Sequence, residues 1–235
     1  MQGRDKFFVE LLTESLAKMG YHANIKYLGD VNYNREMKYL DTGQLSLTWR
    51  MKTELRDRNF QRIDVPLTNS LMAQRILLIP KDTQRRFDKI TNLSSFRESG
   101  LVGIFHGHWL DKIIWQQNNL QYIAVKGEYK KIFRILASQS RGVDYFSRSI
   151  IEIVDEQKDF LQLLDIEKKL LFQYEADFYF YLGNIDLAIR NINISAIKNA
   201  QTSGLLDSLI NKYWGHLNST LTLNERIVVN LKYVE

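Results

Sequence analysis

The sequence has 235 residues, 45% of them hydrophobic and 25% charged, with two prolines, no cysteine and a formal net charge of +5. That composition is globular and long enough for one large domain or two lobes; it excludes disulfides and thiolate metal sites, and no apolar run is long enough to cross a membrane. Basic and acidic residues interleave, as in "KTELRDRNFQR", so the expectation is a mixed, solvated charge surface with no nucleic-acid partner.

The opening "MQGRDKFF" has neither an apolar core nor a small-residue cleavage site, which leaves a cytoplasmic chain or one whose leader has been removed. From Asp5 to Met19, Phe8, Leu11, Leu12, Leu16 and Met19 fall on one helical face, and Gly20 stops the helix. "NIKYL" reads as a strand, "NREMKYLDTG" as a short helix and "LSLTW" as a strand. This αβαβ order predicts a parallel sheet covered by helices. Strand-like "QRILLIP" follows, then a serine-started helix in "LSSFRESG", a buried strand in "LVGIF", a helix in "HWLDKIIWQQNN" and a strand in "QYIAV". "EYKKIFRILASQS" places Tyr129, Ile132, Phe133 and Leu136 on one side of a helix. "VDYF" is the next strand, and "SIIEIVDEQKDFLQLL" is helical. "LLFQYEADFYFYL" is extended, two helices cover 185–201 and 205–215, and the tail from Thr220 is extended. The extended stretches near 72–80 and 170–182 bracket a βαβαβα block. Two lobes are therefore expected, residues 1–75 with 178–235 and an inserted 76–177, joined by two crossings that make a hinge.

Four segments, in this order, carry a resemblance: "LDTGQLSLTWRMKTELR", "LVGIFHGHW", "ILASQSRGVDYFSRS" and "SGLLDSLINKYWG". They resemble, respectively, a helix–glycine–strand leading to Thr-x-x-Arg, a Gly-Thr turn opening the second lobe, an L-x-x-G-x-x-D strand, and a closing helix ending in Trp-Gly. Together they are similar to the type II periplasmic binding protein superfamily, and most of all to its family 3, the amino-acid-binding-like solute-binding branch. The resemblance implies a two-lobed α/β fold with two crossover hinge segments, located in the periplasm or otherwise outside the cytoplasm. It implies a non-enzymatic monomer without cofactor or metal that closes on a small-molecule ligand for a membrane permease. A ligand-sensing domain of a signalling system is the alternative, and a dehydratase-like enzyme on the same scaffold a more distant one. That family opens with a strand before its first helix, whereas this sequence opens on the helix.

The resemblance places Arg56, Thr53 and Trp49 on one side of a cleft, and Gly107, His108, Trp109, Ser147, Arg148 and Ser149 on the other. Arg56 would fork a ligand carboxylate, for which a guanidinium has matched parallel donors; the plain alternative is a surface arginine in a run with Arg50, Arg58 and Arg62. Gly107 stands where a strand feeds a helix, a place for free N–H donors. His106 and His108 supply only two metal ligands. Ser149 with Glu152 fits a capping box, so that serine has a structural reading as well. Trp49, Trp109 and Tyr145 are aromatic enough for a cleft and apolar enough for a core. Asp144 is the expected polar neighbour of Arg148. Two arginines opposed across the cleft, with no other acid in view, predict a carboxylate-bearing ligand. The family's Gly-Thr turn reads Gly107-His108 here, and its amino-group-binding acid falls near Arg148 or Ser149, which points away from an α-amino acid.

Overall fold

The computed structural model describes residues 3–29, 31–107, 109–153, 160 and 162–234. The chain forms two compact units, Met1–Ser70 with Ala176–His216 and Leu71–Glu175 with Leu217–Val234.

The first unit opens with α1 (Gly3–Ala17), whose buried face carries Phe7, Phe8, Leu11, Leu12 and Leu16. Met19 lies past the helix end, so Phe7 completes the face in its place. α2 (Tyr33–Asp41) begins at Asn32, whose side chain accepts from the Arg35 amide. β1 (Leu47–Met51), α3 (Glu54–Asn59) and β2 (Gln61–Arg62) follow. Residues 21–29, expected to include a strand, are exposed and have no regular secondary structure and no strand partner among the described residues. The sheet of this unit runs β1–β9–β2, with β9 (Phe178–Leu182) antiparallel to both neighbours, in contrast to the parallel sheet read from the αβαβ order. Element order does not report which distant segment supplies the pairing strand, and here β9 arrives from more than a hundred residues downstream. Phe8 joins helix to sheet: it stacks on Trp49 at 5.1 Å and meets Phe178 and Phe180 edge-on. Burying one such ring contributes roughly 1.5–3 kcal/mol.

In the second unit β3 (Gln74–Pro80) is central. It pairs antiparallel with β6 (Phe146–Ser149), β7 (Leu164–Ile166) and β8 (Leu170–Gln173), which explains a run buried from Arg75 to Pro80. Pro80 stands at the strand's last position, where its missing N–H interrupts least. α4 (Leu93–Glu98) is capped by Asn92, two residues before the first serine of the segment, with Ser95 answering in a capping box. β4 (Gly103–His106) and β5 (Tyr122–Val125) form the parallel part, flanked by α5 (Asp111–Gln117) and α6 (Lys131–Ala137). Gly103 is required by packing: a Cβ there would lie 2.9 Å from the Tyr145 ring. That ring is fully buried and its hydroxyl accepts from the Trp115 indole at 2.7 Å, so Tyr145 is core.

α7 (Leu187–Thr202) and α8 (Leu205–Trp214) close the first unit against α1. The tail is not extended throughout: α9 (Leu217–Leu221) precedes β10 (Ile227–Asn230), which pairs parallel with β8. This pairing, together with Arg226 donating to the carbonyls of Leu221, Glu167 and Leu170, assigns residues 217–234 to the second unit rather than to the first.

The chain leaves the first unit after Ser70 and re-enters it at Ala176. Asp177, 3% exposed, joins these two points. Its Oδ1 accepts from the amide and hydroxyl of Thr68 (3.0 and 2.6 Å) and from the Phe178 amide (2.6 Å), and its Oδ2 accepts from the Ser70 amide (2.7 Å). Burial raises its pKa, against the pull of these bonds. Asn69 and Ser70 hold left-handed backbone, φ 47° and 64°, which costs non-glycine residues and persists because Asp177 fixes the amides around it. Asp177→Asn replaces an all-accepting group by one that turns a donor toward donors. It should cost about 1–3 kcal/mol in urea unfolding with an unchanged m-value; a loss under about 0.5 kcal/mol contradicts the clamp.

Candidate functional site

The run of four arginines in the first unit separates by partner. Arg50 is held by Glu36, whose Oε1 also accepts from the Thr48 hydroxyl at 2.6 Å. Arg58 pairs with Glu54, and Arg62 with Asp57 and Asp64. Arg56 alone of the four has no carboxylate among the described residues. Thr53 caps α3 by accepting from the Arg56 amide at 3.3 Å, which sets where the side chain leaves the helix. The half-buried guanidinium donates from Nη1 to the Met51 carbonyl and lies 5.4 Å from the ring centre of Tyr33, and its buried Nε has no acceptor. Arg190 on α7 likewise has no acid partner among the described residues, but it stands apart from the Thr-x-x-Arg element. Trp49 is half-buried and stacks on Phe8 of α1.

In the second unit the sequence assigns the strand to 143–146, with Ser147–Ser149 beyond its end. The structure moves the strand forward: Phe146–Ser149 are β6 itself, antiparallel to β3, with Ser147 opposite Leu77 and Ser149 opposite Arg75. Asp144 precedes it, accepting from the Val102 amide at 2.8 Å and pairing with Arg86, so it is not the partner of Arg148. Ser147 is fully buried, its Oγ 3.5 Å from the Arg75 Nε. Ser149 donates to the Leu71 carbonyl at 3.3 Å and accepts from the Ile151 amide at 3.4 Å. It therefore caps the turn that follows, while Glu152, expected to answer it, goes to Arg148.

Arg148 is 5% exposed. Its guanidinium lies 4.9 Å from the Trp109 ring centre and 5.2 Å from that of Phe146, and Nη2 is 3.2 Å from Glu152. Trp109 is itself stacked on Phe146 at 5.8 Å. Two aromatic faces take the cation out of water, and the carboxylate one helical turn on compensates it. A second pair lies behind: Arg75, 1% exposed, meets Asp111 at 2.6 Å. Burial opposes the Arg75 charge, but Asp111 and Tyr174 outweigh it and the pKa rises above its ordinary value. Burial, aided by Asp111, also pushes up the Tyr174 hydroxyl. Each of these two buried arginines thus has a carboxylate within ion-pair distance.

The turn after β4 differs from expectation as well. The Gly107 amide is engaged, donating to the Val125 carbonyl at 2.8 Å, while the Gly107 carbonyl accepts from Lys112 at 3.2 Å. A ring nitrogen of His106 meets the Gly127 carbonyl at 2.9 Å. His108 lies outside the described residues. Sequence reasoning missed Tyr33, Asp111 and the pairing role of Glu152. Only the last had a signal, the i,i+4 spacing from Arg148.

No protein-family model and no curated protein matches the sequence. Solved structures do match. The chain is similar to the probable amino-acid ABC transporter extracellular-binding protein ytmK from Bacillus subtilis (TM-score 0.65, 13% identity, 89% of this chain and 87% of that one). It is similar to a putative binding component of an ABC transporter from Wolinella succinogenes complexed with lysine (TM-score 0.62, 12% identity, 88% and 85%). A third match is the amino acid ABC transporter substrate-binding protein AbpA from Streptococcus pneumoniae bound to L-arginine (TM-score 0.58, 15% identity, 88% and 82%). At 12–15% identity these likenesses show a shared fold, and the mixed α/β architecture agrees with the fold class that the motifs implied.

Removing one member of a buried pair strands the other charge. Asp111→Ala should cost about 3–5 kcal/mol, and the Arg75→Met/Asp111→Ala double variant well under the sum of the two single changes. Additive losses in denaturant unfolding would show that the two side chains do not depend on each other.

Proposed function

We propose that this chain is an extracytoplasmic solute-binding protein that takes up a small, carboxylate-bearing solute by hinge closure and delivers it to a membrane permease. The fold supports the class, since solved structures that share it are described as extracellular- or substrate-binding proteins of amino-acid ABC transporters and as a putative binding component of an ABC transporter. The observation that carries the ligand chemistry is Arg56. It is half-buried and set by the Thr53 cap, and it has a carbonyl and an aromatic ring for company but no acid among the described residues. A guanidinium so placed retains donors for a carboxylate. In this reading Trp49, Ser147 and Ser149 support the architecture, and Arg148, already matched by Glu152, does not need a ligand to neutralise it. The role is binding, not catalysis.

The amino-acid ligands of the neighbours belong to those proteins; this chain has Arg148 and Ser149 where the resemblance expects an amino-group acid. Calorimetry on a candidate solute in its acid and amide forms tests the proposal. The acid should bind and the amide should not, and Arg56→Ala should weaken the acid about ten- to a hundredfold, the value of charge-assisted hydrogen bonds. Equal binding of acid and amide, or an Arg56→Ala variant with unchanged affinity, overturns the assignment.

A further inference from the structure

The charge of this chain is not spread as its sequence suggests. Of 32 basic and 27 acidic residues, five basic and one acidic lie in residues 126–141, leaving 27 against 26 elsewhere. Nearly the whole surplus sits in sixteen residues of the second unit. Lys126, Lys130, Lys131, Arg134 and Arg141 are all exposed, and none forms an ion pair among the described residues. Glu128 is the one acid in the stretch.

Two features of this stretch work against local stability. Lys130 and Lys131 occupy the first positions of α6, the positive end of a helix, where acidic residues are favoured, and no side chain caps it. Arg141 holds left-handed backbone at φ 66°, as does Gln139 at φ 50°, in the turn that follows. The opposite face of α6 buries Ile132, Phe133 and Leu136, so the cationic side is fixed outward by the core. Arg134 lies four positions from Lys130 and three from Lys131, on the exposed side.

We propose that this surface is an electrostatic docking face for an anionic phospholipid bilayer. The cations stand exposed on α6 and on the segments either side of it, and an anionic bilayer presents a diffuse charge that such a spread of cations can meet without a shaped pocket. Three of the five are lysines, point charges on long stems rather than planar forks. A single-stranded nucleic acid would need aromatic faces to stack on, and of the two aromatic residues of the stretch Phe133 is fully buried and Tyr129 lies against Trp109 and Phe133. The surface would hold the protein beside a membrane without any spanning segment.

Flotation with vesicles of phosphatidylcholine containing about 30 mol % phosphatidylglycerol, at low salt, tests this. The protein should bind these vesicles and not pure phosphatidylcholine, and about 0.5 M salt should release it. Lys130→Gln/Lys131→Gln should weaken binding about thirtyfold, from the usual contribution of each cation near an anionic surface. Relieving the helix-end repulsion should leave its melting temperature unchanged or raised. Lys18→Gln/Lys198→Gln, which removes the same charge from exposed positions elsewhere, should bind as the parent does. Failure of the parent to bind, equal loss in both double variants, or tighter binding of an oligonucleotide than of the vesicles at the same salt would overturn the proposal.

Discussion

A guanidinium taken out of water needs a carboxylate beside it, and that requirement shapes the second unit. Arg75 lies in the central strand of its sheet, the least hydrated position available to a side chain, and Asp111 at the head of α5 meets it there. Arg148 is carried into the same interior by the register of β6 on β3, and Glu152 meets it one turn into the following helical segment. Glu167, fully buried, does the same for Arg226 while its oxygens accept from the amides of Lys169 and Leu170. Each pair links strands to the element that supplies the acid, so strand register and charge compensation specify one another. A one-residue slip of β6 would turn Arg148 to the other face of the sheet and separate it from its aromatic neighbours.

That pattern gives Arg56 its meaning. The first unit follows the same rule with Glu36 on Arg50 and Asp57 on Arg62, and the residues around Arg56 depart from it. Thr53 and the Met51 carbonyl hold the side chain without neutralising it. A charge that is positioned but not compensated is poorly explained as structure, because a neighbouring acid would stabilise it, and that contrast is what supports the proposed role of Arg56.

Much of the fold was legible. "QRILLIP" has the apolar run of a strand buried on both faces, and it proved to be the central strand. α1 and α8 announced themselves by helical spacing, and the order of four motifs named the fold. Pairing was not legible. "NIKYL" has strand composition, but a strand forms only where a partner lies alongside; β1 took β9, and of "VDYF" Tyr145 makes only a bridge to Gly103 while Phe146 opens the strand that β3 takes. The same shift converted Ser147, Arg148 and Ser149 from a site beyond a strand into the strand. Asp177 had no local signal at all, since its four donors come from residues 68–70 and 178. Of the candidate residues, Arg56 with Thr53 carries the proposed binding role; Trp49 stacks on Phe8, and Ser147 and Ser149 make hydrogen bonds within the second unit.

The account stands or falls on whether a small carboxylate-bearing solute binds. A thermal-shift series across amino acids, dicarboxylates, sugar acids and short peptides measures this directly, because a ligand that prefers the folded state raises its stability with the logarithm of its excess over Kd. The account predicts that at least one carboxylate-bearing solute raises the melting temperature progressively with concentration, and that its neutral amide counterpart does not. A melting temperature unmoved by every carboxylate in the series, or raised equally by neutral sugars, would contradict it.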